Sequence, residues 1–220
     1  GQAFSAVRVD GQSLHDIPAT FRAIRRAGPS VLAEGTWETA KGPVHMRLLL
    51  RGGDDKLLVQ VALPPENEAG RLEVKLNAYP QGFPEPRARH AATAEQDLAA
   101  GAKINLAELE EPWVLLYDEL YDREDRGAGP CGLVCAPEEL ESAVTGLGSY
   151  GVATTLRAKP DGRKITVGLW DFAFLRDVAA VREYLRDGGA MIADDVARVA
   201  AVDWREGVPP ARLPEEHAET

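Results

Sequence analysis

The chain has 220 residues, 45% hydrophobic and 27% charged, which is long enough for one sizeable core and too apolar for general disorder. Its formal net charge of −10, from 25 basic and 35 acidic residues, argues against nucleic-acid binding, which needs a strong positive field. No apolar run approaches the ~20 residues of a membrane helix, so no transmembrane segment is expected.

The first predicted element is a short helix over residues 16–27. Asp16 suits the N-cap position, and a Gly-Pro pair at 28–29 ends the segment. The apolar residues between them repeat at helical spacing: Ile17, Phe21 and Ile24.

Alternation of apolar and polar residues then predicts a meander of about four antiparallel strands. The clearest is at 71–77, where Leu72, Val74 and Leu76 alternate with charged neighbours. The other three cover residues 31–39, 44–51 and 57–63. Such strands have one buried face and one wet face.

The middle of the chain is less regular. Three prolines and one glycine predict a loop over 78–90, and an alanine-rich stretch predicts a short helix over 91–100. Residues 111–125 fit either a helix or a strand, and the β-branched and aromatic side chains of residues 113–117 favour a strand that leads into a polar loop. A short helix is predicted over 137–145.

A hairpin and two helices complete the prediction. Strands at 152–156 and 165–169 flank a Pro-Asp-Gly turn, and two amphipathic helices follow at 173–187 and 190–201, separated by Gly188-Gly189. The predicted fold is α+β: an antiparallel β-sheet or β-sandwich core of about seven strands with flanking amphipathic helices. Residues 1–207 form one globular domain in this prediction, and 208–220 form a polar tail rich in Pro and Glu.

One glycine motif matches the sequence of a nucleotide-binding fingerprint but lacks its structural context. Residues 146–151 match G-x-G-x-x-G, but the mechanism of that motif needs a strand before it and a helix after it. Here a predicted helix precedes and a strand follows, so the segment is interpreted as a glycine turn. The same stretch has Leu147 where a hydrolase elbow needs glycine.

Cys131 and Cys135 are the two cysteines, and three interpretations stay open. They are two buried thiols, a small disulfide if their Cα atoms lie within about 7 Å, or part of a metal site that lacks two further ligands. A disulfide indicates an oxidising compartment, so a secreted or periplasmic location is slightly preferred to a cytoplasmic one. No metal and no cofactor are expected.

Charged and aromatic clusters supply the remaining candidates. The acidic run at 118–125 suits paired-carboxylate hydrolysis, although a solvated surface is the simpler explanation. The four histidines are scattered and form no catalytic constellation in the sequence. Aromatic residues that could form a flat binding platform for a sugar ring or a protein partner are Tyr79, Phe83, Trp113, Tyr117 and Tyr121.

Three functional hypotheses follow. The first is a non-catalytic binding or interaction protein, an accessory subunit of a larger assembly with a protein partner, and the absence of a catalytic motif favours it over an enzyme. The second is an extracytoplasmic carbohydrate-binding β-sandwich module that holds a glycan on the aromatic residues. The third is a hydrolase that uses the acidic run at 118–125.

Overall fold

The computed structural model describes residues 5–27, 30–54, 56–78, 89–118, 131–148, 151–171 and 178–201. The described residues form fourteen strands in two antiparallel sheets, with one α-helix and two short 3-10 helices. The strands are β1 (Ser5–Val9), β2 (Gln12–Ser13), β3 (Thr20–Ala27), β4 (Ser30–Thr39), β5 (Gly42–Leu50), β6 (Lys56–Ala62), β7 (Leu72–Ala78), β8 (Arg89–Ala92), β9 (Lys103–Asn105), β10 (Trp113–Asp118), β11 (Cys131–Cys135), β12 (Leu140–Leu147), β13 (Val152–Ala158) and β14 (Lys164–Asp171). The α-helix is α1 (Val178–Ala201), and the 3-10 helices are Leu106–Glu108 and Pro137–Glu139.

The order of strands shows how the chain moves between the sheets. The six-stranded sheet has the order β2-β1-β7-β13-β12-β9, and the eight-stranded sheet has the order β3-β4-β5-β6-β14-β11-β10-β8. The predicted antiparallel β structure is therefore confirmed, and two sheets are consistent with the predicted sandwich. The α+β class is a loose fit, because the described part of the chain holds far more strand than helix.

Two apolar clusters hold the layers together. The first lies between the sheets and combines Val9, Leu72 and Leu156 of one sheet with Val61 and Ile165 of the other. The second lies between the outer face of the eight-stranded sheet and one side of α1, whose apolar residues fall at helical spacing: Val181, Leu185, Ile192, Val196 and Val199.

Strand β10 explains why residues 113–117 fitted two patterns. Val114 packs into the cluster between the sheets, whereas Trp113 and Leu115 pack under α1. A strand buried on both faces loses the period of two and becomes a continuous apolar run. The strand prediction is confirmed here.

Three predicted helices are strands or turns instead. Residues 20–27 form β3 and pair with β4 from Thr20↔Thr36 to Ala27↔Ser30, because the neighbouring strand supplies the hydrogen bonds that a helix would make internally. Residues 89–92 form β8 and 93–97 a turn, since Ala91 and Ala92 are buried against other strands, which overrides their helix propensity. Residues 140–147 form β12, and only Pro137–Glu139 is helical.

The predicted meander and hairpin are each divided between the sheets. β4, β5 and β6 are consecutive neighbours, but β7 belongs to the six-stranded sheet, beside β1 and β13. Likewise β13 pairs with β12 and β7, whereas β14 pairs with β6 and β11. The Pro-Asp-Gly turn therefore carries the chain from one sheet to the other, which alternation alone does not reveal.

The two predicted terminal helices are one helix in the described region. α1 runs through Gly188 and Gly189 without a break. Two glycines cost a helix roughly 2 kcal/mol relative to alanine, and the buried apolar face of α1 offsets that cost. Residues 172–177 and the predicted tail at 208–220 lie outside the described residues, and the single-domain assignment stays a prediction.

Candidate functional site

Trp113 of the predicted aromatic platform is buried. It is 2% exposed, and its side chain packs from β10 against α1. Its Nε1 donates a hydrogen bond to Oε2 of Glu111 at 2.8 Å. A ring enclosed in this way has no free face for a sugar to stack on. Trp113 can therefore contribute only its polar edge to a binding site.

Tyr117 is half-buried on the same strand. Its ring stacks on His90 of β8, with 5.0 Å between ring centroids and 16° between planes. Burial raises the pKa of its hydroxyl, so the phenol stays protonated and available as a hydrogen-bond donor. Tyr79, Phe83 and Tyr121 lie outside the described residues, so the platform remains a prediction for them and for Tyr117.

The two cysteines are not bonded to each other. Cys131 and Cys135 are the first and last residues of β11, and a strand that rises ~3.3 Å per residue separates their Cα atoms by ~13 Å. A disulfide needs about 7 Å or less, so this strand does not bring the two thiols within reach of each other. Cys135 is buried, its Sγ lies 3.5 Å from the carbonyl oxygen of Pro112, and burial raises its pKa to about 12.

The glycine motif lies between two strands and does not have the surroundings of a nucleotide site. β12 ends at Leu147 and β13 begins at Val152, with a hydrogen bond from the Gly148 amide to the Gly151 carbonyl oxygen at 2.9 Å. No helix N-terminus follows the motif, so the mechanism of the fingerprint is absent here. Of the acidic run, Asp118 ends β10 and residues 119–125 lie outside the described residues.

A pocket of about 260 Å³ lies where α1 crosses the end of β10. Its walls come from three separated segments: the turn at 93–97, the pair Glu111 and Trp113, and the N-terminal half of α1. The turn is fixed by hydrogen bonds between Thr93 and Gln96, including amide to carbonyl at 2.8 Å. We call this the Arg182 pocket, and its charged lining residues are Glu95, Asp97, Glu111, Arg182 and Arg186.

Charges of both signs line the Arg182 pocket. The Arg182 guanidinium donates to a carboxylate oxygen of Asp97. Glu111 accepts a hydrogen bond from Trp113 Nε1. Arg186 is exposed and has no ion-pair partner among the described residues.

Gly189 allows α1 to approach this pair closely. A Cβ at this position would lie 2.5 Å from Glu111 Oε2 and 2.7 Å from Trp113 Nε1, both well inside van der Waals contact. Gly189 was predicted to separate two helices, and it instead lets one continuous helix pack against Glu111 and Trp113.

Sequence reasoning missed these pocket residues for a physical reason. Arg182 and Arg186 lie four residues apart, so the predicted helix already placed them on one face. Residues 93–97 were assigned to a helix, however, and nothing in the sequence indicated that they meet α1.

Glu139 is a described carboxyl group whose pKa is raised above its ordinary value, as the pKa of a general acid often is. Burial raises its pKa, and this effect outweighs the nearby Lys164 ammonium at 3.4 Å. Its oxygens accept hydrogen bonds from the Thr166 amide at 2.6 Å and the Thr166 hydroxyl at 3.2 Å. With only 4% exposure, Glu139 joins the 3-10 helix Pro137–Glu139 to β14, so its role is structural.

A buried group of charges anchors α1 to the hairpin of β5 and β6. Asp195 accepts hydrogen bonds from Arg51 and from Arg198, the latter at 2.8 Å, and its Oδ2 lies 3.4 Å from Lys56 Nζ. Desolvation opposes the charge on Asp195, but these cations outweigh it and hold its pKa below the ordinary value. We call this the Asp195 ion cluster, and its members are Arg51, Asp54, Lys56, Asp195 and Arg198.

The described residues contain no group of three His, Cys, Asp or Glu side chains placed to hold a metal ion. The described helix is not long and apolar enough to cross a membrane.

Comparisons with known proteins give similarity of fold alone. No protein-family model matches the chain, and no curated protein matches it. The α-N-acetylgalactosaminidase NagBb from Bifidobacterium bifidum, solved with GalNAc, has a TM-score of 0.52 at 12% identity, over 89% of this chain and 35% of that one. A TM-score this size at low identity indicates a shared fold.

Two further solved structures are less similar. A protein described as a kojibiose phosphorylase, from the human microbiome, has a TM-score of 0.41 at 9% identity, over 92% of this chain and 25% of that one. The α-galactosidase from Lactobacillus brevis has a TM-score of 0.38 at 10% identity, over 77% and 29%. The chain thus spans about a third or less of each of these carbohydrate-processing enzymes.

Proposed function

We propose that this chain is a non-catalytic, carbohydrate-binding β-sandwich unit that accompanies the catalytic part of a larger carbohydrate-active protein or assembly. The observation that carries the proposal is the mixed charge of the Arg182 pocket. Sugar hydroxyls both donate and accept hydrogen bonds, and the pocket offers guanidinium donors beside carboxylate acceptors. NagBb, a solved protein of similar fold, has a structure in complex with GalNAc, which supports a carbohydrate as the class of ligand.

Size and charge indicate one neutral sugar ring. The pocket volume of about 260 Å³ lies just below the ~300–1,000 Å³ typical of sites for larger ligands. Three carboxylates and two guanidinia line it, so a neutral ligand avoids the repulsion that an anionic one would meet. Catalysis is not part of the proposal, because Asp97 and Glu111 are each occupied by a hydrogen-bond donor.

The test is calorimetric or NMR titration with N-acetylgalactosamine, galactose and glucose. We expect saturable binding of at least one of them, weakened about tenfold or more in Arg186→Ala, since hydrogen bonds to charged groups contribute roughly 1.5–3 kcal/mol. Arg157→Ala, an exposed arginine on the other sheet, is the matched control and should bind as wild type. Failure of all three sugars to bind, or equal binding by Arg186→Ala, would refute the site.

An accessory role has a separate observation in its favour. Phe21 of β3 and Leu50 of β5 are 55% and 52% exposed, and the strand registers place both on the face of the eight-stranded sheet that carries Trp37. Large apolar side chains that are exposed on one face of a sheet favour a protein partner. Native mass on gentle purification tests this: a large complex supports it, and elution near 23.8 kDa contradicts it.

A further inference from the structure

The outer face of the six-stranded sheet carries a concentration of positive charge. Leu72 and Val74 of β7 are buried, so Arg71, Glu73 and Lys75 point to the opposite, wet side. The flanking strands add two arginines in register with Glu73: Arg8 on β1 and Arg157 on β13.

Glu73 holds these two arginines in fixed positions. Arg8 Nη1 donates to Glu73 Oε1 at 3.1 Å, and Arg157 Nε donates to Oε2 at 3.0 Å. Burial opposes ionisation of Glu73, but the hydrogen bonds from both arginines outweigh it and keep its pKa low. The side chains of Arg8 and Arg157 remain 44% and 49% exposed, so their other N–H groups face outward.

Asp10, at the corner of this face, is also fully engaged. It accepts hydrogen bonds from Lys41 Nζ at 2.5 Å and from the amides of Gly70 at 3.2 Å and Arg71 at 2.8 Å. Arg71 and Lys75 have no side-chain ion pair among the described residues. A pocket of about 360 Å³ opens here, and its lining is Arg8, Asp10, Gly11, Arg71 and Glu73.

The balance of charge is opposite to that of the whole chain. We call this surface the basic face, and its charged members are Arg8, Asp10, Lys41, Arg71, Glu73, Lys75 and Arg157. Five cations and two anions leave a surplus of three positive charges, in a protein whose net charge is −10. A local surplus of this kind attracts an anionic partner by charge complementarity.

The chemistry of the basic face favours a carboxylated polysaccharide over an acidic protein. Protein interfaces depend on aromatic or large apolar anchors, and the large hydrophobic side chains that are exposed among the described residues, Phe21 and Leu50, lie on the other sheet. Guanidinium groups match carboxylates in bidentate geometry. We propose that the basic face binds the carboxylates of a uronate polysaccharide, a second carbohydrate site that is independent of the Arg182 pocket.

Polygalacturonate and its methyl-esterified form are the probes, because esterification removes the charge and keeps the sugar chain. Affinity electrophoresis of the intact chain should show retention by polygalacturonate, retention by the ester that is weaker by about tenfold or more, and weakening of the polygalacturonate retention with added salt. The variant Arg71→Ala/Lys75→Ala removes two cations without breaking a described ion pair and should weaken retention about tenfold or more. Arg186→Ala is the control and should be retained as wild type.

Three results would overturn the proposal: no retention by polygalacturonate, equal retention of the double variant, or equal retention by the methyl ester. Equal retention by DNA would also overturn it, since it would indicate attraction to any polyanion. Loss of neutral-sugar binding in Arg186→Ala with no effect on polygalacturonate separates this proposal from that for the Arg182 pocket.

Discussion

Replacement of Asp195 with asparagine removes one negative charge from the Asp195 ion cluster and almost no volume. The wild-type cluster has three cations and two anions, and the variant has three cations and one. Arg51 and Lys56 have side chains only 3% and 1% exposed, so water cannot replace the lost carboxylate. Loss of one partner from a buried ion pair costs about 3–5 kcal/mol.

Such a loss is a large part of the roughly 5–15 kcal/mol that stabilises an ordinary domain. The free energy of unfolding, measured by urea denaturation, should therefore fall by about 3 kcal/mol or more in Asp195→Asn. Asp194→Asn is the matched control, because Asp194 is the exposed neighbour on the same helix and should cost at most about 1 kcal/mol. A loss below about 1 kcal/mol in Asp195→Asn would refute the reasoning.

A second substitution tests whether the cost comes from the uncompensated cation. Lys56→Met removes one buried ammonium, whose Nζ also lies 5.2 Å from the centroid of the Trp170 ring. In the Asp195→Asn background this change should cost less than it does alone, by about 1 kcal/mol or more. Additive losses in the cycle would show that the two groups do not compensate each other.

Three further predictions concern single groups. Gly189→Ala should lower the free energy of unfolding by about 1–2 kcal/mol, because a Cβ would lie 2.7 Å from Nε1 of the buried Trp113 ring, and relief of that clash costs more than the ~1 kcal/mol gain in helix propensity. A variant that is stabilised in urea denaturation would contradict this packing. Glu139 has a raised pKa in the folded state, so its contribution to stability is fully present below its ordinary pKa of 4.5 and is lost as the pH rises through the folded-state pKa. Wild type should therefore lose stability relative to Glu139→Gln over that pH interval, as measured by denaturation at a series of pH values. Parallel curves for the two proteins would refute this prediction. Cys135, with a pKa of about 12, should resist iodoacetamide at pH ~8 in the native protein and react after unfolding, as followed by peptide mass, and rapid native labelling would contradict its burial.

Period-two alternation correctly predicted strands whose pattern is visible in the local sequence alone. The segments at 31–39, 44–51, 57–63 and 71–77 became β4 to β7 because one face of each is apolar and the other polar. Their partners could not be predicted in the same way, since β7 pairs with β1 and β13 across long stretches of chain. Local pattern determines an element here, and distant contacts determine its neighbours.

The missed strands share a different cause. Alanine favours helices in isolation, yet Ala91 and Ala92 are buried in the sheet, where a small side chain fits between layers. Phe21 fitted a helical spacing of apolar residues but lies on an edge strand, half exposed. Tertiary context decided both cases, and no local signal carried it.

The candidate site was the least predictable feature. Trp113 was proposed as part of an aromatic platform, and the continuous apolar run around it is the sign of a strand buried on both faces. The pocket beside it combines residues 93–97, 111–113 and 182–186, which are distant in the chain. Their meeting depends on how α1 packs, which composition and motifs do not specify.

The interleaved order of the strands has a consequence for synthesis on the ribosome. β6 and β7 sit inside their sheets only after β14 and β13 have been added, and Gln60 of β6 meets Thr166 of β14 across 106 positions of chain. Until then a nascent chain presents unpaired strand edges in both halves of the sandwich, and such edges promote aggregation. Closure of long loops before pairing also makes folding slow. We therefore expect this protein to depend on chaperones during translation, and C-terminal truncations within β14 to accumulate as aggregates.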